Sequence, residues 1–145
     1  MSIIKEIYDA VKDGSVLTAQ RASIKRALKT ELKLNRKFLN EIEKGKKIEN
    51  SRRIVILQML EIAELASAVK CEIPYLAISN KKVTDEMVHA FQVAKLKGDG
   101  IEEVIEKLFL MISYLKKDFA NPEISLNLRL LNIYKYNRVL IELLN

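Results

Sequence analysis

The sequence is poor in everything that punctuates or staples a chain. Its 145 residues include four glycines, two prolines, one cysteine, one histidine and no tryptophan. So few breakers argue against a turn-rich β fold and favour long helices. The lone Cys71 allows no intramolecular disulfide, which fits a reducing compartment and a cytoplasmic protein. One histidine and one cysteine do not make a zinc ligand set. There is no glycine-rich phosphate loop, no GxSxG elbow, no HExxH pair and no CxxC. No run of about 18 uncharged apolar residues is present, because the nearest, Ile54 to Val69, contains Glu61 and Glu64. Lys5 and Glu6 interrupt the first apolar stretch, so there is no signal-peptide core. These absences predict a soluble protein with no catalytic constellation, no cofactor, no metal, no membrane span and no evident small-molecule substrate.

What the chain does have is apolar residues and charge. Hydrophobic residues make up 49% and charged residues 30%, enough for both a core and a solvated surface at a length that suits one domain, 1–145. The formal charge of +6 is unevenly spread. Residues 21–53 hold 12 Lys/Arg against four Glu, a net +8, whereas the segments on either side are each net −1. The basicity is a local patch and not a general property of the protein.

That patch belongs to one long helix, expected from Thr18 to Lys44, and to the hairpin after it. At about 100° per residue, Ile24, Ala27, Leu28, Leu32, Leu34, Phe38, Leu39 and Ile42 share one arc. Lys25, Arg26, Lys29, Lys33, Arg36, Lys37 and Lys44 share the opposite one, with Glu43 at its edge. Two residues violate the pattern. Glu31 and Asn35 stand in the middle of the apolar arc, on a seam of coiled-coil spacing. A buried carboxylate or amide needs partners, so both should be at least partly buried and hydrogen-bonded. Either they fix helix register, or they form a polar site for a ligand or partner chain, or this face is exposed. Their partners are expected to be each other, a Tyr hydroxyl or an Arg of a neighbouring helix, with Asn137 and Arg138 the first to examine.

The remaining chain reads as further helices. Ser2 to Asp13 is capped by Ser2 and ended by Gly14, and Gly45 ends the long helix. A third helix is expected from Asn50 or Ser51 to about Lys70, apolar nearly all round and therefore central, antiparallel to the long helix. Pro74 interrupts residues 72–83. A fourth helix follows from Thr84 or Asp85 to about Lys97, and a fifth from Ile101 to about Phe119 after Gly98-Asp99-Gly100. The last runs from about Glu123 to Leu144 and carries Asn137 in mid-seam. The expected fold is an all-α, single-domain bundle of five to six helices, mostly antiparallel.

The candidate functional residues are few. His89 reads as a surface histidine and Cys71 as an inert thiol. Glu102, Glu103 and Glu106 read as first-turn helix acids and not as a metal cluster. Phe109, Leu110 and Tyr114 spill outside the main apolar arc of the fifth helix, which means either a second covered side or an interface. Arg52 and Arg53 stand in the first turn of the third helix, where the helix dipole disfavours cations. Lys46 and Lys47 crowd the same tip, offset only by Glu43 and Glu49. An anion or partner site is therefore expected over Lys29, Lys33, Arg36, Lys46, Lys47, Arg52 and Arg53. Glu31, Asn35 and Asn137 form a buried polar seam. The leading functional expectation is a non-enzymatic helical binding protein working through protein–protein contacts, as an adaptor, regulator or self-assembling subunit, with a second copy as one candidate partner. The alternative is a nucleic-acid-binding protein that grips phosphates with residues 21–53.

Overall fold

In the computed structural model, residues 2–11, 17–43, 47–71 and 73–145 are described. Among them are eight α-helices: α1 (Ile3–Val11), α2 (Leu17–Glu43), α3 (Asn50–Met59), α4 (Ala63–Lys70), α5 (Tyr75–Ile78), α6 (Asp85–Phe91), α7 (Ile101–Asp118) and α8 (Leu126–Leu144). A 3-10 turn, Ala94–Leu96, separates α6 from α7, and no strand occurs among the described residues. The protein is all-helical. The stops expected at Gly14 and Gly45, and the cations Lys44 and Lys46, lie outside the described residues.

Local chemistry sets several of the ends. The Ser2 hydroxyl accepts the Lys5 N–H at 3.1 Å, Thr84 Oγ1 accepts from Met87 at 3.2 Å, and Ser125 Oγ accepts from Leu128 at 3.3 Å. Glu103 reaches back to the Gly100 N–H at 3.1 Å to open α7. Helix α6 stops earlier than expected because Gln92 adopts a left-handed conformation, φ 56°, with no glycine there to announce it.

The core is one cluster of apolar side chains, and α8 is its most enclosed member. Ten α8 residues are buried, including Leu126, Leu130, Ile133, Leu140 and Leu144 of its seam. Helix α8 packs chiefly along α2 and then along α7, while α4 bridges α7 and α1. The expected third helix is therefore not the centre of the molecule. Val55 and Val69 are 42% and 37% exposed, and Ile54, Met59 and Ile62 are only half-buried. It is also two helices. Leu60 leaves the helical region at ψ 132° and α4 restarts after Ile62, with no proline or glycine at the break.

Candidate functional site

The break between α3 and α4 explains the polar residues of the long helix. Interrupting a helix frees backbone groups that must find partners when buried. Asn35 serves both backbone groups of one residue: its Oδ1 accepts the Glu61 N–H at 2.8 Å and its Nδ2 donates to the Glu61 carbonyl at 2.7 Å. Ile62 offers no side-chain cap to α4. Glu31 of α2 supplies one from outside, with Oε1 accepting the Glu64 N–H and Oε2 the Leu65 N–H, both at 2.9 Å. Lys116 Nζ donates to the Leu60 carbonyl at 2.7 Å.

The same device recurs one helix further on. Glu64 sends its carboxylate to the start of α1, accepting the Ile3 N–H at 3.2 Å, the Ile4 N–H at 3.1 Å and the Ser2 hydroxyl. Two carboxylates thus sit on the positive ends of two other helices. Both are nearly enclosed, with Glu31 8% and Glu64 7% exposed. Burial pushes the Glu31 carboxyl up to about 7; the two backbone N–H groups pull it down, and Glu64 and Glu61 nearby add to the rise. Both line a groove of about 470 Å³ between α1, α2 and the break, together with Ser23, Arg26 and Thr30.

The partners proposed from sequence for Glu31 and Asn35 are engaged elsewhere. Arg138 stacks over Phe91, 5.0 Å from the ring centroid, and lies 5.7 Å from that of Tyr134. Asn137 is fully buried and donates from Nδ2 to the Leu32 carbonyl at 2.9 Å, pinning α8 to α2. The polar seam binds backbone throughout, where the sequence suggested side chains.

The basic residues divide into two groups. On α2, Lys25, Arg26, Lys29 and Lys33 border a shallow groove of about 290 Å³ with Ala22 and Thr30, and no acid lines it. Lys33 and Arg36 are exposed and Lys29 is half-buried. Among the described residues none of these five cations forms an ion pair. The tip differs from expectation. Arg52 makes a two-pronged bond to Glu41, Nε to Oε2 at 3.0 Å and a terminal nitrogen to Oε1 at 2.5 Å. Glu41, on α2, thus offsets the tip in addition to the expected Glu43 and Glu49. Arg53 donates to Asn50 Oδ1 at 2.8 Å, while its buried Nε finds no partner among the described residues. Lys47 is exposed. Lys46 lies outside the described residues.

The fifth-helix spill is a surface. Leu110 and Tyr114 of α7 are 41% and 68% exposed. With Phe109, Ser113, Lys116, Lys117 and Ile62 they line a mainly apolar groove of about 410 Å³. Cys71 is half-buried, and burial together with Asp9 raises its thiol pKa, so thiolate chemistry is disfavoured. His89 is exposed. Among the described residues no cluster of three His, Cys, Asp or Glu is arranged to hold a metal, and no helix is long and apolar enough to cross a membrane.

Comparison of the chain with protein-family models, with curated proteins and with solved structures found no match.

Proposed function

We propose that this chain is a non-enzymatic binding protein that works through protein contacts, with the α7 groove as its docking surface. One observation carries the reading. A leucine and a tyrosine, Leu110 and Tyr114, stand exposed in one groove beside Phe109 and Ile62. An exposed apolar patch rimmed by polar side chains is the usual mark of an interaction site, and a tyrosine contributes a large apolar body with a hydrogen-bonding end. The buried polar residues Glu31, Asn35 and Glu64 are each engaged on backbone groups of another element, which occupies them structurally. On this reading the helices form one domain in the cytoplasm, the compartment that a single cysteine suits.

The test is a photo-reactive p-benzoylphenylalanine in place of Tyr114, irradiated in the native host, with the same group in place of His89 as control. Protein adducts at 114 and none at 89 are expected. An absence of adducts at 114 would remove α7 as a docking surface.

A second reading is favoured by the unpaired cations on α2, and it assigns that face to the phosphates of a nucleic acid. Phosphate contacts alone give binding that is strongly salt-dependent and indifferent to sequence.

A further inference from the structure

We infer that the occupant of the α7 surface is a second copy of this chain, docked across a two-fold axis with the two α7 helices antiparallel and Leu110 at the axis. This rests on the reading of α7 as a protein-binding surface and names its partner.

Glu103, Glu106, Leu110, Tyr114 and Lys117 of α7 are all exposed. At the helical repeat they fall within about 40° of Leu110 to one side or the other, so they form one stripe. Their positions are symmetric about residue 110. Glu106 and Tyr114 stand four residues away in opposite directions, and Glu103 and Lys117 stand seven away. Antiparallel pairing centred on Leu110 therefore sets position 103 of one copy opposite 117 of the other, 106 opposite 114, and 110 opposite itself.

The chemistry of the stripe is complementary in that register and in no parallel one. The N-terminal half of α7 carries Glu102, Glu103 and Glu106, with Lys107 taken up by Asp99 at 2.6 Å, and its C-terminal half carries Lys116 and Lys117, with Asp118 at its end and off the stripe. Antiparallel pairing brings two Glu103–Lys117 pairs together and offers each Tyr114 hydroxyl a Glu106 carboxylate. Parallel pairing would bring acid to acid and lysine to lysine. Glu103 has a free carboxylate oxygen for this, since only Oε2 is used on the Gly100 N–H. A two-fold interface requires one patch to match itself, with residue i meeting j and j meeting i. An apolar centre with charges of opposite sign at its two ends meets that condition. The centre supplies the burial, and the charges fix register and orientation. Phe109 and Ile62, on the flank of the groove, extend the apolar area that the second copy would cover.

The experiment is sedimentation velocity on the full chain at low and moderate salt, with two charge reversals. Wild type should be a dimer. Glu103→Lys should put lysine opposite lysine, and Lys117→Glu should put glutamate opposite glutamate. Each alone should weaken the dimer by about tenfold or more, the size of effect that like-charge juxtaposition produces. An equimolar mixture of the two variants should form a heterodimer, because each reversal then meets the other. Circular dichroism checks the folds, since Glu103→Lys also removes the bond to Gly100. If that variant fails to fold, Leu110→Cys in a Cys71→Ser background decides. Only a residue at the axis meets its own copy, so mild oxidation should give a disulfide-linked dimer. A monomeric wild type at the highest soluble concentration would overturn the inference. So would a dimer that both reversals leave untouched, or a Leu110→Cys chain that stays monomeric on oxidation. A monomeric wild type whose position 114 still cross-links other proteins would overturn self-association alone and leave the docking surface standing.

Discussion

Asn35 and Glu31 act on backbone that belongs to another helix. Asn35 completes the hydrogen bonds of both the Glu61 N–H and the Glu61 carbonyl, so Asn35→Ala should cost about 1–3 kcal/mol in urea unfolding, with the fold retained. Glu31 has a pH signature. Its carboxyl stands at about 7 in the folded chain against 4.5 as its ordinary value. A raised acid pKa means that the folded state holds the proton more tightly than the unfolded one. The stabilisation from this site is fully present below about pH 4.5 and is lost as pH rises through about 7. Wild type should therefore lose stability over that window relative to Glu31→Gln, whose side chain does not titrate. Matched slopes for the two proteins in urea titrations from pH 4 to 8 would contradict this. Both residues stood out in the sequence, because polar groups in an apolar arc demand partners. Their partners did not, because a backbone N–H leaves no mark on a helical wheel.

At the scale of elements, helices α2, α7 and α8 were readable from periodicity and from the breakers around them. The division of the third helix was not. Leu57 to Ala63 contains no helix breaker, and the break exists because Asn35, Glu31 and Lys116 satisfy what it exposes. Tertiary partners here override a local preference that is worth only tenths of a kcal/mol per residue. The apolar run of Ile54 to Val69 looked central for a related reason. Hydrophobicity on every side of a wheel suggests full enclosure, yet Val55 and Val69 face outward. Leu60 is 2% exposed at the break itself. Leu60→Ala should cost about 2–5 kcal/mol, measured by the denaturation midpoint at constant m-value. A change under about 1 kcal/mol would mean that the site collapses around the smaller side chain.

For the whole molecule, the sequence located the basic region, and packing pairs one member of its tip with an acid from another helix. At the tip Arg52 is held by Glu41. The wheel kept the two on separate elements, so their approach was invisible until the helices were packed. Among the described residues, Lys25, Arg26, Lys29 and Lys33 of α2 border a groove that no acid lines. Lys29→Glu with Lys33→Glu should leave the helical content unchanged and lower the salt needed to elute the chain from heparin. Arg52→Glu should shift elution less. If the protein grips a nucleic-acid duplex, the α2 double variant should also flatten the dependence of affinity on salt. Equal elution of wild type and the α2 variant would leave that face to solvent.

The reach of Glu64 to the start of α1 has a consequence for the order in which the chain can be built. Helix α1 is nine residues long, too short to persist alone in water. Its first N–H groups are closed by a side chain some 60 residues further along. During synthesis α1 leaves the ribosome well before α4, so it waits, open at its positive end, until residue 64 follows. The first of these helices to be made is thus not secured until the fourth has followed it. A nascent chain halted before residue 64 would offer α1 to a protease that the finished protein turns away.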